Sequence, residues 1–452
     1  MRAKDRRGIG HLLRVLGLAF GLAVVVGGVI GQGILRTPGI VAGALPEPSW
    51  ILALWVAGGL VILIDACALV ELGASIPRAG GPYAFARRAY GHVAGTVVGW
   101  ADWLTTVLVL SFVAVVFGEY CHRLGIGAGW PVSVISVLLI AACSAINWSG
   151  TRISGASQTM LSAFKGFALT ALVLALFLMG GGDAAPAASA PAEGISPVLA
   201  LSAVLVAMSA ILNTYGGWTG SVYFGEEIVE PEKNIARSTF GGVLFILALY
   251  VAMNAALLHV LSPAEMAASE LPAADAAERV FGPAGGLLIT ILSLVSLAAI
   301  ANLYVMFSSR IGFAMARDGV LPKLFARTST GGTPRPALIV GSVLAAIAAA
   351  SGTYLELVAV VVPLTAAIIF SLDLAAIVMR RKEPDLPRPF KMPLFPLPAV
   401  AGMALNLVLL VAMTIDDPWH SLIGIVTAAL LGASYALFST RKVAAAELAV
   451  QE

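Results

Sequence analysis

The sequence predicts an all-α membrane protein with about twelve transmembrane helices. Composition, long apolar runs and the partition of Lys and Arg between loops predict it. Of 452 residues, 59% are hydrophobic and 12% charged, against about 25% charged in an ordinary soluble domain. A water-soluble protein of this make-up would expose too much apolar surface. In lipid every backbone polar group must be satisfied internally, which long helices achieve. The Leu, Val and Ala runs exceed a barrel strand, so a β-barrel is set aside.

Runs long enough to cross a bilayer fall at 15–43, 50–72, 89–117, 128–148, 158–180, 197–225, 239–261, 284–312, 336–352, 356–379, 394–414 and 419–438. The basic N-terminus MRAKDRRGIGHLLR (1–14) resembles a signal-peptide start. The apolar stretch continues to about residue 35 without a small-residue cleavage site, which favours a retained first helix. A short tail, 439–452, follows the last span. Gly and Pro punctuate the connections, as in SIPRAGGP, GGTPRP and KEPDLPRP.

With the N-terminus placed in the cytoplasm and the sides alternated, 23 of the 27 Lys and Arg residues fall on the cytoplasmic side. Only Arg36, Arg123 and Arg279 fall opposite, and Lys165 lies within a span. That asymmetry places both termini inside. It also supports the helix count, because a missed span would scramble the partition downstream. The outer segments 181–196 and 262–282 are acidic or neutral.

Two spans are interrupted. The first contains GGVIGQGILRTPG (27–39) and the sixth NTYGGWTG (213–220). Glycine is costly inside a helix and permits unwinding; close helix packing is the alternative use. Their placement favours a site. Five spans separate the two, so two five-helix halves, 15–180 and 197–379, would be inverted copies. Paired interruptions in such halves point to a transporter's binding site. Free N–H groups at a half-helix N-terminus attract a carboxylate, and free carbonyls at a C-terminus accept from an ammonium. Together they suit a zwitterion.

At these residues the sequence resembles the amino acid–polyamine–organocation superfamily. GVIGQGILRTPG resembles its first-helix pattern G-x-x-x-G-S-G-I-F-x-x-P-G. ELGASIPRAGGPYAFARRAYG, YGGWTGSVYFGEEIVEPEKNIARS and MARDGVLPKLFARTSTGGTPRPAL resemble its second cytoplasmic stretch, its sixth helix and exit, and its loop after helix eight. The L-type amino acid transporters and bacterial serine/threonine exchangers are the most similar branch, through Y-G-G-W and the following E-E. The resemblance implies a leucine-transporter-like five-plus-five inverted repeat with helices 1 and 6 unwound, and two further helices at 394–438. It implies that Gly31, Gln32 and Gly33 offer N–H groups to a substrate carboxylate. Val29, Asn213, Thr214 and Gly216 would offer carbonyls to its amine. Asn213 stands where the family has an aromatic gate, Thr214 where it has Ala, and Gln32 where it has Ser. These polar changes argue against a purely hydrophobic substrate, and Tyr215 or Trp218 would cover the site instead. Ala236 stands where the family usually has proline.

Lys165 in QTMLSAFKGFALTALVL is an intramembrane lysine, a functional candidate by default, with snorkelling to the inner interface as the alternative. Gln158 and Lys165 match a Gln and a Lys of the L-type and proton-coupled relatives. There the lysine takes the place of sodium, which implies a coupling role and a link from helix 5 to the unwound part of helix 1. Asp65, Asp102, Glu119, Glu356 and Asp373 are candidates for coupling or ion pairing. Capping is the expected role of Glu119 and Glu356, and Asp102 and Asp373 are expected near a cytoplasmic interface. Asn147, Asn254 and Asn302 are expected to bond between helices, and Glu226, Glu227 and Lys233 to form a solvated cytoplasmic network. Cys121 is read as structural.

No phosphate loop, metal-ligand spacing or nucleophile–base motif suggests an enzyme, and neither a cofactor nor a metal is expected. No pore ring suggests a channel, and no basic cluster with interleaved aromatics suggests nucleic acid. A non-transporting amino-acid sensor is the alternative outside transport; it would keep the binding helices but usually adds a signalling domain, for which tails of this length leave little room. A polyamine carrier would want acidic residues at the interrupted helices, and neither has one. The expectation is a sodium-independent amino-acid permease of the plasma (bacterial inner) membrane, an exchanger or proton symporter. Its partners would be a small amino acid, the lipid bilayer and candidate coupling protons, with no obligatory protein partner evident.

Overall fold

The computed structural model describes residues 10–180 and 197–451. The first predicted span is two helices, α1 (Leu18–Val29) and α2 (Gly33–Ala44), meeting at a 44° bend. Then come α3 (Pro48–Ser75), short α4 (Pro82–Tyr90), α5 (His92–Arg123), α6 (Val132–Trp148) and α7 (Thr151–Met179). The sixth span is α8 (Pro197–Thr214), a turn, and a 3-10 segment at Trp218–Tyr223. After it come α9 (Pro231–Val260), short α10 (Pro263–Ala268) and α11 (Pro272–Phe281), then α12 (Pro283–Arg317) and α13 (Arg335–Ser351). α14 (Tyr354–Lys382), α15 (Leu397–Asp416) and α16 (Pro418–Gln451) complete the chain. Proline opens α3, α4, α9, α10, α11 and α12, a position where its missing N–H costs nothing.

Among the described residues, α3, α5, α7, α9, α12, α14 and α15 are long and apolar enough to cross a membrane, and α1 with α2 makes an eighth candidate. α6 and α13 are apolar helices of 17 residues, the lower limit of a span.

The observed elements correct several predicted boundaries. Segment 73–88 holds most of α4, and 262–282 holds α10 and α11, which are too short for a hydropathy signal. α10 begins with a capping box, Ser262 and Glu265 bonding each other's backbone N–H, a device worth about 1 kcal/mol. The last helix continues to Gln451 instead of ending at 438, because RKVAAAELAVQ is rich in strong helix formers. The outer loop 181–196 and most of the N-terminal tail lie outside the described residues.

The Lys- and Arg-rich segments meet at one end of the bundle. There Arg87 pairs with Asp318, Arg88 with Glu383, Arg317 with Glu226 and Arg380 with Glu71. The N-terminal strap joins them: Val15 and Leu16 donate to the Glu227 carbonyl, and Val229 donates to that of Leu16. At the opposite end, α10 and α11 cover α2, where a Cβ on Gly39 would lie 2.6 Å from the Met266 carbonyl oxygen. α1 runs through the interior between α7, α9, α12 and the 3-10 segment, with Val24 and Val25 fully buried.

Candidate functional site

The two interruptions lie against each other. Gly217 adopts φ 97°, and a Cβ there would stand 2.4 Å from the Gly28 carbonyl oxygen. Conversely, a Cβ on Gly28 would stand 2.6 Å from the oxygen of Gly217. Only glycine permits this backbone-on-backbone approach. Gly33 meets Thr214, whose hydroxyl bonds Thr37 of α2 at 2.7 Å and donates to the Ala210 carbonyl at 2.9 Å. The second halves of both interrupted segments are thus tied to the first halves of their counterparts.

Helix ends leave backbone groups without partners. Among the described residues, the N–H groups of Gly31, Gln32 and Gly33 make no hydrogen bond to protein. They point from the N-terminus of α2, where a helix attracts an anion. The carbonyls ending α1 are occupied. Lys165 Nζ, fully buried on α7, donates to Gly27 O at 2.5 Å and Ile30 O at 2.6 Å. Tyr250 of α9 donates to Val29 O at 3.0 Å. A Lys unpaired at mid-membrane costs about 3 kcal/mol on insertion scales, so these helix-end carbonyls are what make its burial possible. The predicted link between Lys165 and the break in the first span is present, and Lys165 does not snorkel.

The other predicted residues are placed as follows. Asn213 is exposed, and its carbonyl accepts the Gly216 N–H at 3.0 Å. Gly216 is exposed in the turn. Tyr215 is buried, donating to the Trp55 carbonyl, and its ring lies tilted against those of Trp55 and Tyr250, which also touch each other. Trp218 is buried at the start of the 3-10 segment. Gln32 precedes α2 without a side-chain cap. Gly28, Gly217 and Tyr250 were not among the predicted residues. The glycines stood in the quoted motifs, whereas Tyr250 carried no signal within an apolar span.

A buried polar chain supports the break. Asn147 of α6 donates to Asn302 of α12 at 2.8 Å, and Asn302 donates to Gln158 of α7 at 2.9 Å. Gln158 donates to Ser162, whose Oγ would lie 2.1 Å from a Cβ on Gly27. Asn147 and Asn302 bond between helices as predicted. Asn254 instead donates within its own helix, to Tyr250 O. Glu356 caps α14 with Thr353, Glu119 is exposed, and Cys121 is a buried free thiol.

The expected solvated network at Glu226, Glu227 and Lys233 is corrected. Glu227 is fully buried and holds Arg310 bidentately at 2.9 Å, with Thr151 Oγ1 3.1 Å away. Arg310, counted on the cytoplasmic side at the end of the span 284–312, is likewise fully buried in α12. A chain of flexible side chains reaches this depth because each partner supplies the other's counter-charge. Glu226 is partly exposed on Arg317, and only Lys233, on Glu230, is a surface pair. Burial alone would push the Glu226 carboxyl up; the Arg317 guanidinium overrides it and holds the carboxyl below its usual range. Asp102 is buried and accepts from Tyr223 at 2.7 Å. A cleft of about 470 Å³ at the basic end, lined by Arg14, Phe20 and Arg152 among others, holds none of the candidate residues.

The family described as amino acid permease matches residues 16–434. The chain belongs to the amino acid permease family. Among the permease's relatives, the serine/threonine exchanger SteT of Bacillus subtilis is 32% identical over 69% of this chain and 70% of its own length. The b(0,+)-type amino acid transporter 1 of Mus musculus is 27% identical over 91% of this chain and 85% of its own. The large neutral amino acids transporter small subunit 2 of Homo sapiens is 28% identical over 85% and 74%. The permease is therefore a membrane transporter and not an enzyme, and its long apolar helices fit a multi-pass membrane protein.

Proposed function

We propose that this permease carries small neutral amino acids across the plasma membrane, the inner membrane of a bacterium, by alternating access and without sodium. It works as an exchanger or a proton symporter. Both termini face the cytoplasm, and two inverted five-helix halves, α1–α7 and α8–α14, rock around the paired breaks. One arrangement carries the reading: the three unbonded N–H groups of Gly31, Gln32 and Gly33 beside the turn that ends α8. A substrate carboxylate bonds these amides at the α2 N-terminus. Its ammonium takes the carbonyls of Thr214 and Gly216. Val29 O, already bonded to Tyr250, contributes only by sharing. Lys165 supplies the fixed positive charge that tethers α7 to α1, in place of a metal. Asn213, exposed beside the turn, offers an amide donor and acceptor to a short polar side chain. The name of the relative SteT, a serine/threonine exchanger, fits that choice.

Counterflow in proteoliposomes tests the reading. Liposomes preloaded with unlabelled serine, threonine or alanine should accumulate the labelled amino acid equally in sodium and choline buffers. A strict sodium requirement, or counterflow with putrescine but with no amino acid, would overturn it.

A further inference from the structure

Away from the helix breaks, two acidic side chains on different helices face one another inside the bundle. Asp65 of α3 and Asp373 of α14 are 5% and 1% exposed. Asp65 Oδ1 and Asp373 Oδ2 are buried, and neither has a hydrogen-bond partner among the described residues. Both point at the same spot on α15. A Cβ built on Gly402 would lie 2.6 Å from the Asp65 oxygen and 2.5 Å from the Asp373 oxygen. The two oxygens are therefore no more than about 5 Å apart. Glycine at 402 leaves the room into which both carboxyls extend.

The surroundings supply no counter-charge. Arg380 and Arg388, the cations nearest along α14 and its exit, are committed to Glu71 at 2.6 and 3.4 Å. Glu71 lies six residues beyond Asp65, and Arg380 seven beyond Asp373, so the acid pair sits roughly 10 Å deeper in the bundle. Cys67 on α3 and Tyr90 on α4 are the titratable groups beside it. The Tyr90 hydroxyl is given to the Ser371 carbonyl. α15 presents Asn406, whose amide donates to Gly402 O at 2.9 Å and whose side chain also hydrogen-bonds Asp65; its one charged residue, Asp416, lies at the far end of the helix. Two carboxylates this close in an apolar setting cannot both ionise without a cation.

We propose that Asp65 and Asp373 form a proton-binding dyad at the junction of α3, α14 and α15. One proton is held as a carboxylic acid on either residue and donated toward the other's carboxylate. Release of that proton to water leaves two facing anions, whose repulsion drives α3 from α14. α3 packs on α8 and α9, and α14 on α4 and α5, so the dyad joins the helices around the breaks to the rest of the bundle. Its link to transport rests on the permease reading above; its proton binding does not.

The test uses the full chain in liposomes, as wild type, Asp65→Asn, Asp373→Asn and the double variant. The infrared difference between wild type and the double variant, in which the buried Asp102 common to both cancels, should show a protonated-acid band at neutral pH that titrates away as pH rises. No such band in that difference spectrum overturns the dyad. Its replacement by added sodium at fixed pH also overturns it, in favour of a metal-ion site. In the same liposomes an inward proton gradient should drive accumulation in wild type. Each single variant should lose at least tenfold of that accumulation while retaining counterflow. Gly402→Ala, which wedges a methyl group between the oxygens, should do the same and covers the case in which an Asn variant fails to fold. Gradient-driven accumulation surviving in all three refutes the coupling. Absence of counterflow in wild type would count against the amino-acid reading alone, since the infrared titration still decides the dyad.

Discussion

The carbonyl of Gly28 lies against the α-carbon of Gly217, so close that a single methyl group on either residue has no place. This contact joins the first interruption to the second. Gly217→Ala adds a Cβ at a left-handed φ, which costs about 1–2 kcal/mol before any clash is counted. It should leave the protein in the membrane with a lowered melting temperature and without counterflow. Gly28→Ala should behave alike. Full transport in either variant would disprove the requirement for close approach.

Lys165→Met keeps the length of the side chain and removes its donor. The carbonyl of Gly27 is then left unbonded, and that of Ile30 keeps only a long contact from Ser296 at 3.5 Å. Each lost partner costs about 1–3 kcal/mol. Uptake should fall at least tenfold and should not be rescued by sodium. Sodium-restored uptake in Lys165→Met would show that the ammonium merely occupies a metal site that still works.

Arg310 and Glu227 should show the sign reversal typical of buried ion pairs. Arg310→Met or Glu227→Leu alone strands one buried charge, at about 3–5 kcal/mol. The double variant Arg310→Met/Glu227→Leu removes both desolvated groups and should recover most of that stability. Melting of the three purified variants in detergent decides it, and additive losses in the double variant would contradict the reading.

The Glu226–Arg317 pair gives an acid-side signature. Because the folded carboxyl is held below its usual range, its contribution is complete above the ordinary carboxylate value. It disappears as pH falls through the lowered folded value. The pair is partly exposed, at 20% and 27%, so the effect should stay near 1 kcal/mol or below. Arg317→Gln should lower stability at neutral pH and flatten its loss on acidification. Parallel stability–pH curves for variant and wild type would rule this out.

Substrate choice should follow residue 213. Serine, threonine and alanine are expected to displace labelled substrate better than phenylalanine or tryptophan. Asn213→Phe should reverse that order, and an unchanged order would place Asn213 outside the selective contacts.

The long apolar helices were legible because lipid imposes runs of about twenty apolar residues. The breaks were legible because glycine clusters stand out in such runs. Lys165 was legible for the same reason, as a charge without company. What stayed hidden depends on tertiary contact. α10 and α11 are too short to show a hydropathy signal and pack on α2 and α12 in the fold. Glu227 looks like a solvated loop charge and Arg310 like a charge at the cytoplasmic end of a span, and only folding brings them together in the interior. Tyr250 is one aromatic ring among many apolar neighbours until its hydroxyl meets Val29. Gly402 gives no hint in sequence that two acids reach toward it.

The strap at Val15 and Leu16 has a kinetic consequence if the basic end opens and closes in each cycle. Parting that end must break its three backbone bonds to residues 227–229 and free α1 from a segment anchored by a buried ion pair. Parting the opposite end mainly exposes the tight, largely apolar seam of α2 with α10 and α11. The first step is enthalpic and the second hydrates apolar surface, with the large heat-capacity change that brings. The two half-cycles should therefore respond differently to warming. Arrhenius plots of the two opening rates, followed separately by a fluorescent label at each end of the bundle, should be straight for the basic end and curved for the other; two plots of equal curvature would contradict this.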